Sequence, residues 1–262
     1  MKYDRPIQPV KSARRALDVL ELLTARERSL TFPEIGDALG LPGSSLHALL
    51  ATLTDAGWLE FDPDSRQYGL GLRVLEAGNA YSRSVSLIDR ALPVMTEIRD
   101  AIDETVQMAV LDGRHNVYVA KVSGNQLLGL ASEVGRRLPA HATGLGKVLL
   151  AGLPGAKLSA LLDGVELERY TDRTLTSHRA LAQALADIRA KGFGEDAEEY
   201  TVGVRCVAVP VFDQRGATVA AISVSVPIIR FDETHRKRAL NLLRDGAERL
   251  SASLGFRVPT HA

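Results

Sequence analysis

Apolar residues recur at helical spacing in two neighbouring segments near the start of the chain. Thr31 and Glu34 have the spacing of a reciprocal helix N-cap, and Gly40 is placed to end that first helix. After the short turn LPGSS, apolar residues recur at i, i+3, i+4 and i+7, in the order Leu46, Leu49, Leu50 and Leu53. The pattern predicts two helices joined by a tight turn.

The residues that follow alternate between apolar and polar, as strands do. Trp58–Phe61 and Arg66–Leu70 flank the turn Asp62–Ser65, which predicts a two-stranded wing. A first helix is predicted from residue 12 to 28, with Ser12 as its cap and an inner face of Ala13, Ala16, Leu17, Leu20 and Leu23. Because a short second helix with a polar outer face fits the major groove, residues 1–70 are predicted to be a winged helix-turn-helix that binds DNA.

Helices and strands alternate along the rest of the chain. We expect a linker helix over residues 71–84 and a C-terminal domain over residues 85–256, followed by a short tail at 257–262. Predicted strands cover Thr105–Leu111, Asn116–Val122, Leu127–Glu133, Val204–Phe212 and Ala217–Val226. Predicted helices cover Ser86–Ala101, a segment after Thr143, a segment from Thr176 to Gly192, and Asp232–Leu254. Hairpins mixed with helices predict an α+β domain, with an antiparallel sheet flanked by helices.

Composition narrows the possible functions. The chain has 262 residues, 45% hydrophobic, with a formal net charge of zero, so any DNA contact depends on local cations such as Lys11, Arg14 and Arg15. The single cysteine, Cys206, excludes an intramolecular disulfide and a zinc site of several thiolates. No apolar run approaches the roughly 20 residues that a membrane span needs. The segment MKYDRPIQPVK has no hydrophobic signal region, so we expect a cytoplasmic protein that does not enter a membrane.

Four motifs occur in a fixed order along the chain: VKSARRALDVLELL, LPGSSLHALLATLTDAGWLE, LPAHATGLGKVLLA and EDAEEYTVGVRCVAVPVFDQRGATVAAISVSVP. In these motifs, from about Val10 to Gly255, the chain resembles transcription regulators of the IclR family. The resemblance implies a winged helix-turn-helix, a linker helix and a GAF-like effector-binding domain. It also implies dimers, or dimers of dimers, on a double-stranded DNA operator. The implied function is regulation of a catabolic operon, most often repression, controlled by a small keto or aromatic acid, without a cofactor.

The expected DNA contacts lie at the start of the first helix, on the second helix of the pair and at the wing tip. Ser, His and Thr side chains hydrogen-bond base edges or phosphates, and Arg and Lys bind phosphates. The candidates are Lys11, Arg14, Arg15, Ser44, Ser45, His47, Thr52, Arg66 and Gln67. Alternatively, Ser44 and Ser45 only cap their helix, the wing tip is only solvated, or the winged helix serves only protein contacts. Gly43 and Ala48 stand where family members often have basic residues.

Two features predict an anion site in the C-terminal domain. The helix that starts at Thr143–Gly146 offers unpaired backbone N–H groups at its N-terminus, where the helix dipole favours an anion. Ser223 and Ser225 are two residues apart on a predicted strand, so their hydroxyls point to the same side. The alternative is that both hydroxyls bond neighbouring backbone groups.

The family's effector site falls on eight positions of this chain. They are Leu127, Leu138, Gly144, Leu145, Asp196, Cys206, Ser223 and Ser225. Leu127 and Leu138 are expected as apolar walls. Asp196 either accepts a hydrogen bond from a ligand hydroxyl or caps the turn at Glu198–Tyr200.

Two other functions use the same residues. Cys206 is either a small packing residue or the thiol of a redox-responsive regulator. An enzyme acting on a small acid would use Asp196, Cys206 and His141. However, the sequence shows no base beside the thiol, no cofactor motif and no metal-ligand set, and we interpret His141 as a structural hydrogen-bonding residue. The chain is therefore expected to be a regulator and not an enzyme.

Overall fold

The computed structural model describes residues 10–84, 86–125 and 133–257. The chain divides into two compact units, residues 1–84 and residues 85–262. Leu127 lies outside the described residues, as does all but the last residue of the strand predicted over Leu127–Glu133.

The N-terminal unit is a helical cluster with a small antiparallel sheet. Its elements are α1 (Lys11–Arg26), β1 (Leu30–Thr31), α2 (Phe32–Leu39), α3 (Gly43–Asp55), β2 (Leu59–Asp62), β3 (Gln67–Leu70) and α4 (Leu72–Ser84). The strands lie in the order β1-β3-β2. Side chains from α1, α2, α3 and β2 share one core, which contains Val19, Leu23, Ile35, Leu46, Leu50, Leu53 and Leu59. The sequence therefore forms the predicted helix-turn-helix with a wing.

The predicted cap of α2 is confirmed. The backbone N–H of Thr31 donates to Oε2 of Glu34 at 2.7 Å, and Gly40 ends the helix at a φ of 60°. The Arg28 guanidinium donates to the other Glu34 oxygen at 2.8 Å. These hydrogen bonds, with the one from Arg28 the strongest, lower the pKa of Glu34 to about 2.

The predicted start and inner face of α1 are wrong in part. The helix begins at Lys11 after Val10, without a side-chain cap, so Ser12 is not its N-cap. Val19 is fully buried with Leu23, whereas Leu17 is 52% exposed. Residues two apart on a helix lie about 200° apart, so a helix that buries Val19 has to expose Leu17.

The C-terminal unit is a six-stranded antiparallel sheet covered by helices. Its elements are α5 (Ser86–Ile102), β4 (Thr105–Asp112), β5 (His115–Val122), β6 (Arg137–Pro139), α6 (Gly144–Ala151), α7 (Gly155–Leu162), α8 (His178–Lys191), β7 (Gly194–Ala197), β8 (Val204–Phe212), β9 (Thr218–Pro227) and α9 (Glu233–Ser253). The strands lie in the order β6-β5-β4-β9-β8-β7. The predicted α+β class is confirmed.

A hydrophobic core lies on each face of this sheet. One core packs the sheet against α5 and α9, and the other packs it against α6 and α8. Because side chains alternate along a strand, Ile222 and Val224 face the first core while Ser223 and Ser225 point to the α6 side. The sheet thus presents polar side chains toward the N-terminus of α6.

Several elements of this unit differ from the prediction. The helix α8 is capped by Ser177, whose hydroxyl accepts from Ala180 N–H, and not by Thr176. The short elements β6, α7 and β7 were not predicted. Strand β7 has the sequence Gly-Glu-Asp-Ala, which has low strand propensity, and pairing with β8 holds it in the sheet. Within the described ranges, the helices are all too short or too polar to cross a membrane.

Candidate functional site

The outer face of α3 presents the polar residues that were predicted to read DNA. Ser44, Ser45, His47 and Thr52 are all exposed. The helix begins at Gly43 after Pro42, without a side-chain cap, so the alternative in which the two serines cap it is wrong. The Thr52 hydroxyl donates to the Ala48 carbonyl at 2.8 Å, which leaves its oxygen as an acceptor toward solvent.

The basic residues of α1 differ in their exposure and in their ion pairs within the helix. Lys11 and Arg14 are exposed and Arg15 is half-buried. Arg14 pairs with Asp18 at 2.8 Å and with Glu21 at 3.5 Å. Exposed pairs of this kind contribute at most about 1 kcal/mol, so a phosphate can replace the carboxylates.

The wing tip is a tight turn that places Arg66 in solvent. Asp62 closes the turn by accepting from Asp64 N–H at 2.9 Å and from the Ser65 hydroxyl at 2.6 Å. Arg66 has a φ of 55°, in the left-handed region that favours glycine. Gln67 begins β3 and is half-buried. The exposed Arg66 therefore has a backbone conformation that residues other than glycine rarely adopt.

We predict that Arg66→Gly weakens DNA binding without weakening the fold. Glycine relieves the left-handed strain, so the midpoint of thermal unfolding should stay constant or rise. If Arg66 binds a phosphate, the log–log salt dependence of DNA affinity should fall by about 1. Arg66→Lys, which retains the charge, is the matched control and should keep that salt dependence. Unchanged affinity and salt dependence in the glycine variant would show a merely solvated wing tip.

The C-terminal unit contains a cavity of about 200 Å³ on the α6 side of the sheet. Seven of the eight predicted effector residues line it, namely Leu138, Gly144, Leu145, Asp196, Cys206, Ser223 and Ser225. The eighth, Leu127, is outside the described residues. The sequence prediction missed other lining residues, including Gln107, Tyr118, Arg136, Thr201 and Val204. Gln107 and Tyr118 lie on strands that were predicted from sequence. The alternation of side chains along those strands was the signal that could have placed them on the cavity side of the sheet.

The N-terminus of α6 forms one wall of the cavity. Thr143 caps the helix by accepting from Gly146 N–H at 3.0 Å, and its hydroxyl donates to Asn116 Oδ1 at 2.8 Å. The N–H groups of Gly144 and Leu145 are in the first turn, where an α-helix provides no acceptor for them. A side chain at Gly144 would place its Cβ 3.2 Å from the backbone nitrogen of Asp196. The helix start and β7 are therefore in close contact.

The two serines of β9 are not equivalent. Ser225 donates to Gln107 Oε1 at 2.8 Å, and the Cys206 sulfur is 3.0 Å from the same Ser225 oxygen. Because the one hydroxyl proton goes to Gln107, the Cys206 thiol is the donor to Ser225. Ser223 is fully buried, and its hydroxyl has no hydrogen-bond partner within the described structure. Neither hydroxyl bonds neighbouring backbone, which was the alternative to a ligand site.

This environment disfavours a redox function for Cys206. Burial raises the pKa of the thiol well above its ordinary value, and the negative charge of Asp196 raises it further. The thiolate is the reactive form, so a thiol held protonated reacts slowly with oxidants.

Asp196 caps the turn that follows β7 and also lines the cavity. Its Oδ1 accepts from Glu199 N–H at 2.6 Å, which is the capping role considered for it. Burial raises the pKa of Asp196 to about 7, with a further rise from the Glu199 charge. The sequence prediction also missed Lys147, which is buried in α6 and pairs with the Glu199 carboxylate.

His141 makes contacts that agree with its interpretation as a hydrogen-bonding residue of the fold. Its Nε2 is 3.0 Å from the Glu168 carbonyl oxygen, and its ring lies 6.0 Å from the Tyr170 ring. Among the residues that the structure describes, no group of three or more His, Cys, Asp or Glu side chains could hold a metal ion.

Comparisons with known proteins identify both units. Residues 12–63 match the IclR helix-turn-helix domain, and residues 79–252 match the C-terminal domain of bacterial transcriptional regulator IclR. The chain is 37% identical to the HTH-type transcriptional regulator XynR of Escherichia coli K12, over 94% of this chain and 98% of that relative. It is 32% identical to the transcriptional repressor IclR of the same strain, over 86% of this chain and 82% of that relative.

A solved structure has the same fold with an organic acid bound. An IclR homologue from Microbacterium hydrocarbonoxydans, complexed with 4-hydroxybenzoate, is similar with a TM-score of 0.82 and 26% identity, over 93% of this chain and 98% of that chain. The relatives are transcriptional regulators and not enzymes, which excludes the small-acid enzyme as an interpretation. The chain belongs to the IclR family of bacterial transcriptional regulators.

Proposed function

We propose that this protein represses a catabolic operon, and that a small organic acid bound in the cavity beside α6 controls its affinity for the operator. The proposal rests mainly on the Ser223 hydroxyl, which is buried in the wall of that cavity and has no hydrogen-bond partner among the described residues. Burying an unpaired hydroxyl is unfavourable by roughly 1–3 kcal/mol, and a ligand acceptor would offset that loss.

The cavity has the donors that a carboxylate requires. The first-turn amides of Gly144 and Leu145 provide N–H groups and the positive end of the α6 dipole. Ser223 provides a hydroxyl donor from the strand wall. The side chains of Leu138 and Leu145 contact the hydrocarbon part of the acid. The 4-hydroxybenzoate bound to the Microbacterium homologue supports this ligand class.

DNA binding is assigned to the N-terminal unit. We place the DNA-binding domain at residues 1–70, the linker at 71–84, the effector domain at 85–256 and a tail at 257–262. The exposed residues of α1, α3 and the wing contact an operator in double-stranded DNA, and the protein acts in the cytoplasm as a dimer or a dimer of dimers. In a dimer the spacing of two recognition helices must match two operator half-sites, so a ligand that favours another spacing releases DNA.

Fluorescence anisotropy with DNA from the protein's own upstream region tests this function. Purified protein is titrated at two salt concentrations, with and without pyruvate, glycerate and 4-hydroxybenzoate. We expect sequence-preferring binding that at least one acid weakens. Binding to this DNA no tighter than to a scrambled duplex, or a Kd that no acid changes, would contradict the proposal. Cys206→Ser should retain the acid response and show no new behaviour under oxidant.

A further inference from the structure

The cavity holds a buried carboxyl group beside the amides that would bind a ligand carboxylate. Asp196 is 6% exposed and lines the same cavity as Gly144 and Leu145. A Cβ on Gly144 would meet the Asp196 backbone at 3.2 Å, so the start of α6 directly contacts the residue that carries this carboxyl. An anion at the first turn of α6 therefore lies close to the Asp196 side chain.

The charges around Asp196 only partly compensate a second anion. From α6, the buried Lys147 ammonium lowers the pKa of Asp196, but it pairs with Glu199, whose negative charge raises that pKa more strongly. The Glu199 N–H is bonded to Asp196 itself. From β5 and β8, Tyr118 and Cys206 are weak acids whose pKa values are raised by burial. Tyr200 follows on the same segment and lines the cavity.

The remaining charged neighbours lie at the surface or on the other side of β7. Among the described lining residues of the cavity, the basic side chain is Arg136, which is exposed. On β7, Glu195 precedes Asp196 and pairs with Arg236 of α9 at 2.5 Å, on the opposite face. Two ionised carboxylates in this cavity would therefore repel each other with little screening by water.

We propose that the effector binds as an anion together with one proton, which Asp196 takes up from solvent and donates to an oxygen of the ligand. The inference rests on the proposed function and deepens it. The Asp196 carboxylate and a solvent proton give the carboxylic acid, whose O–H bonds the ligand carboxylate or keto oxygen. With the ligand bound, the ligand carboxylate and Asp196 together carry one negative charge and not two, as in carboxyl pairs that share a proton. Asp196 then selects ligands that present a hydrogen-bond acceptor, whereas one of the two interpretations from sequence had Asp196 accept from a ligand hydroxyl.

The sign of the pH dependence follows from this proton. Burial raises the pKa of Asp196 to about 7, so the free protein keeps the proton below neutral pH and has to take it up above. Effector affinity is then nearly constant on the acidic side and falls as pH rises through 7. Linkage with this pKa gives an affinity about tenfold weaker at pH 8 than at pH 6.

Calorimetric titration of the full chain tests the proposal directly. Pyruvate and 4-hydroxybenzoate are titrated at pH 8 in two buffers that differ in ionisation enthalpy, which gives the number of protons bound with each ligand. We expect about 0.9 proton per ligand for the wild type and none for Asp196→Asn. Asparagine retains an oxygen for the Glu199 N–H, so the turn stays capped. The affinity of Asp196→Asn should not change between pH 6 and 8.

Ser223→Ala is the matched control, because it removes a ligand hydrogen bond without removing a titrating group. It should bind the acid more weakly with unchanged proton uptake. Wild-type binding without proton uptake, or equal uptake by Asp196→Asn, overturns the inference while leaving the proposed function intact. If neither acid binds and no other acid affects DNA affinity, the proposed function fails and the inference with it. If the asparagine variant does not fold, the two-buffer titration of the wild type still measures whether a proton is taken up with the ligand.

Discussion

Lys147→Met is expected to lower the free energy of unfolding of the C-terminal unit by roughly 3–5 kcal/mol at neutral pH. Lys147 is 4% exposed and Glu199 is 7% exposed, so their ion pair is almost completely removed from water. Methionine fills a similar volume, but it leaves the Glu199 carboxylate beside the Asp196 carboxyl without a cation.

Thermal unfolding followed by circular dichroism measures this loss, which corresponds to about 10 °C in the midpoint for a unit of this size. The one tryptophan of the chain, Trp58, lies in the N-terminal unit, so its fluorescence monitors that unit as an internal control. Lys147→Met/Glu199→Leu replaces the pair by two apolar side chains and should recover most of the stability. A single variant as stable as the wild type, or a double variant no better than the single, would contradict the assignment.

Ser223→Leu is expected to remove the response to the effector while operator binding persists. Ser223 is fully buried in the cavity wall, so a leucine there projects into the space that the ligand needs. The substitution also removes the hydroxyl donor, and a hydrogen bond to a charged group contributes about 1.5–3 kcal/mol. Together these effects should weaken acid binding by about 100-fold or more. The free energy of unfolding should not fall, because the lost hydroxyl has no partner in the part of the chain that the structure describes, and leucine fills the cavity.

Operator titrations with and without the acid measure this effect, with thermal unfolding as the check on folding. Ser223→Ala keeps the cavity open and should show a smaller loss of about tenfold. The graded series from serine through alanine to leucine separates the hydrogen bond from the volume. A leucine variant that releases DNA at the wild-type acid concentration would mean that the effector binds elsewhere.

Local patterns predicted much of the fold and several site residues. The Thr31–Glu34 cap and the leucines of α3 are short-range features, and the structure has them where the sequence placed them. The alternation along β9 placed Ser223 and Ser225 on one face, and both line the cavity. Such features depend on neighbours three or four residues away, which the sequence displays directly.

Long-range pairing explains what the sequence did not predict. Lys147 and Glu199 are 52 positions apart, and only the docking of α6 against β7 brings them together. Strand β7 itself has no strand pattern, so the burial of Asp196 was invisible before the sheet order was known. The difference between Ser223 and Ser225 likewise depends on Gln107, 118 positions from Ser225.

The helix α6 is buried along its whole length from Gly144 to Ala151. Any side chain at Gly146 would place its Cβ 2.3 Å from the Ala140 backbone, so neighbouring structure holds the helix on that side as well. The turn at Glu198–Tyr200 is attached from two sides. The hydroxyls of Thr171 and Thr174 donate to the carbonyls of Glu198 and Glu199, and the Lys147 ammonium of α6 pairs with the Glu199 side chain. We therefore expect a ligand that moves Asp196 to displace this turn together with the segment that carries Thr171 and Thr174, while α6 stays in place.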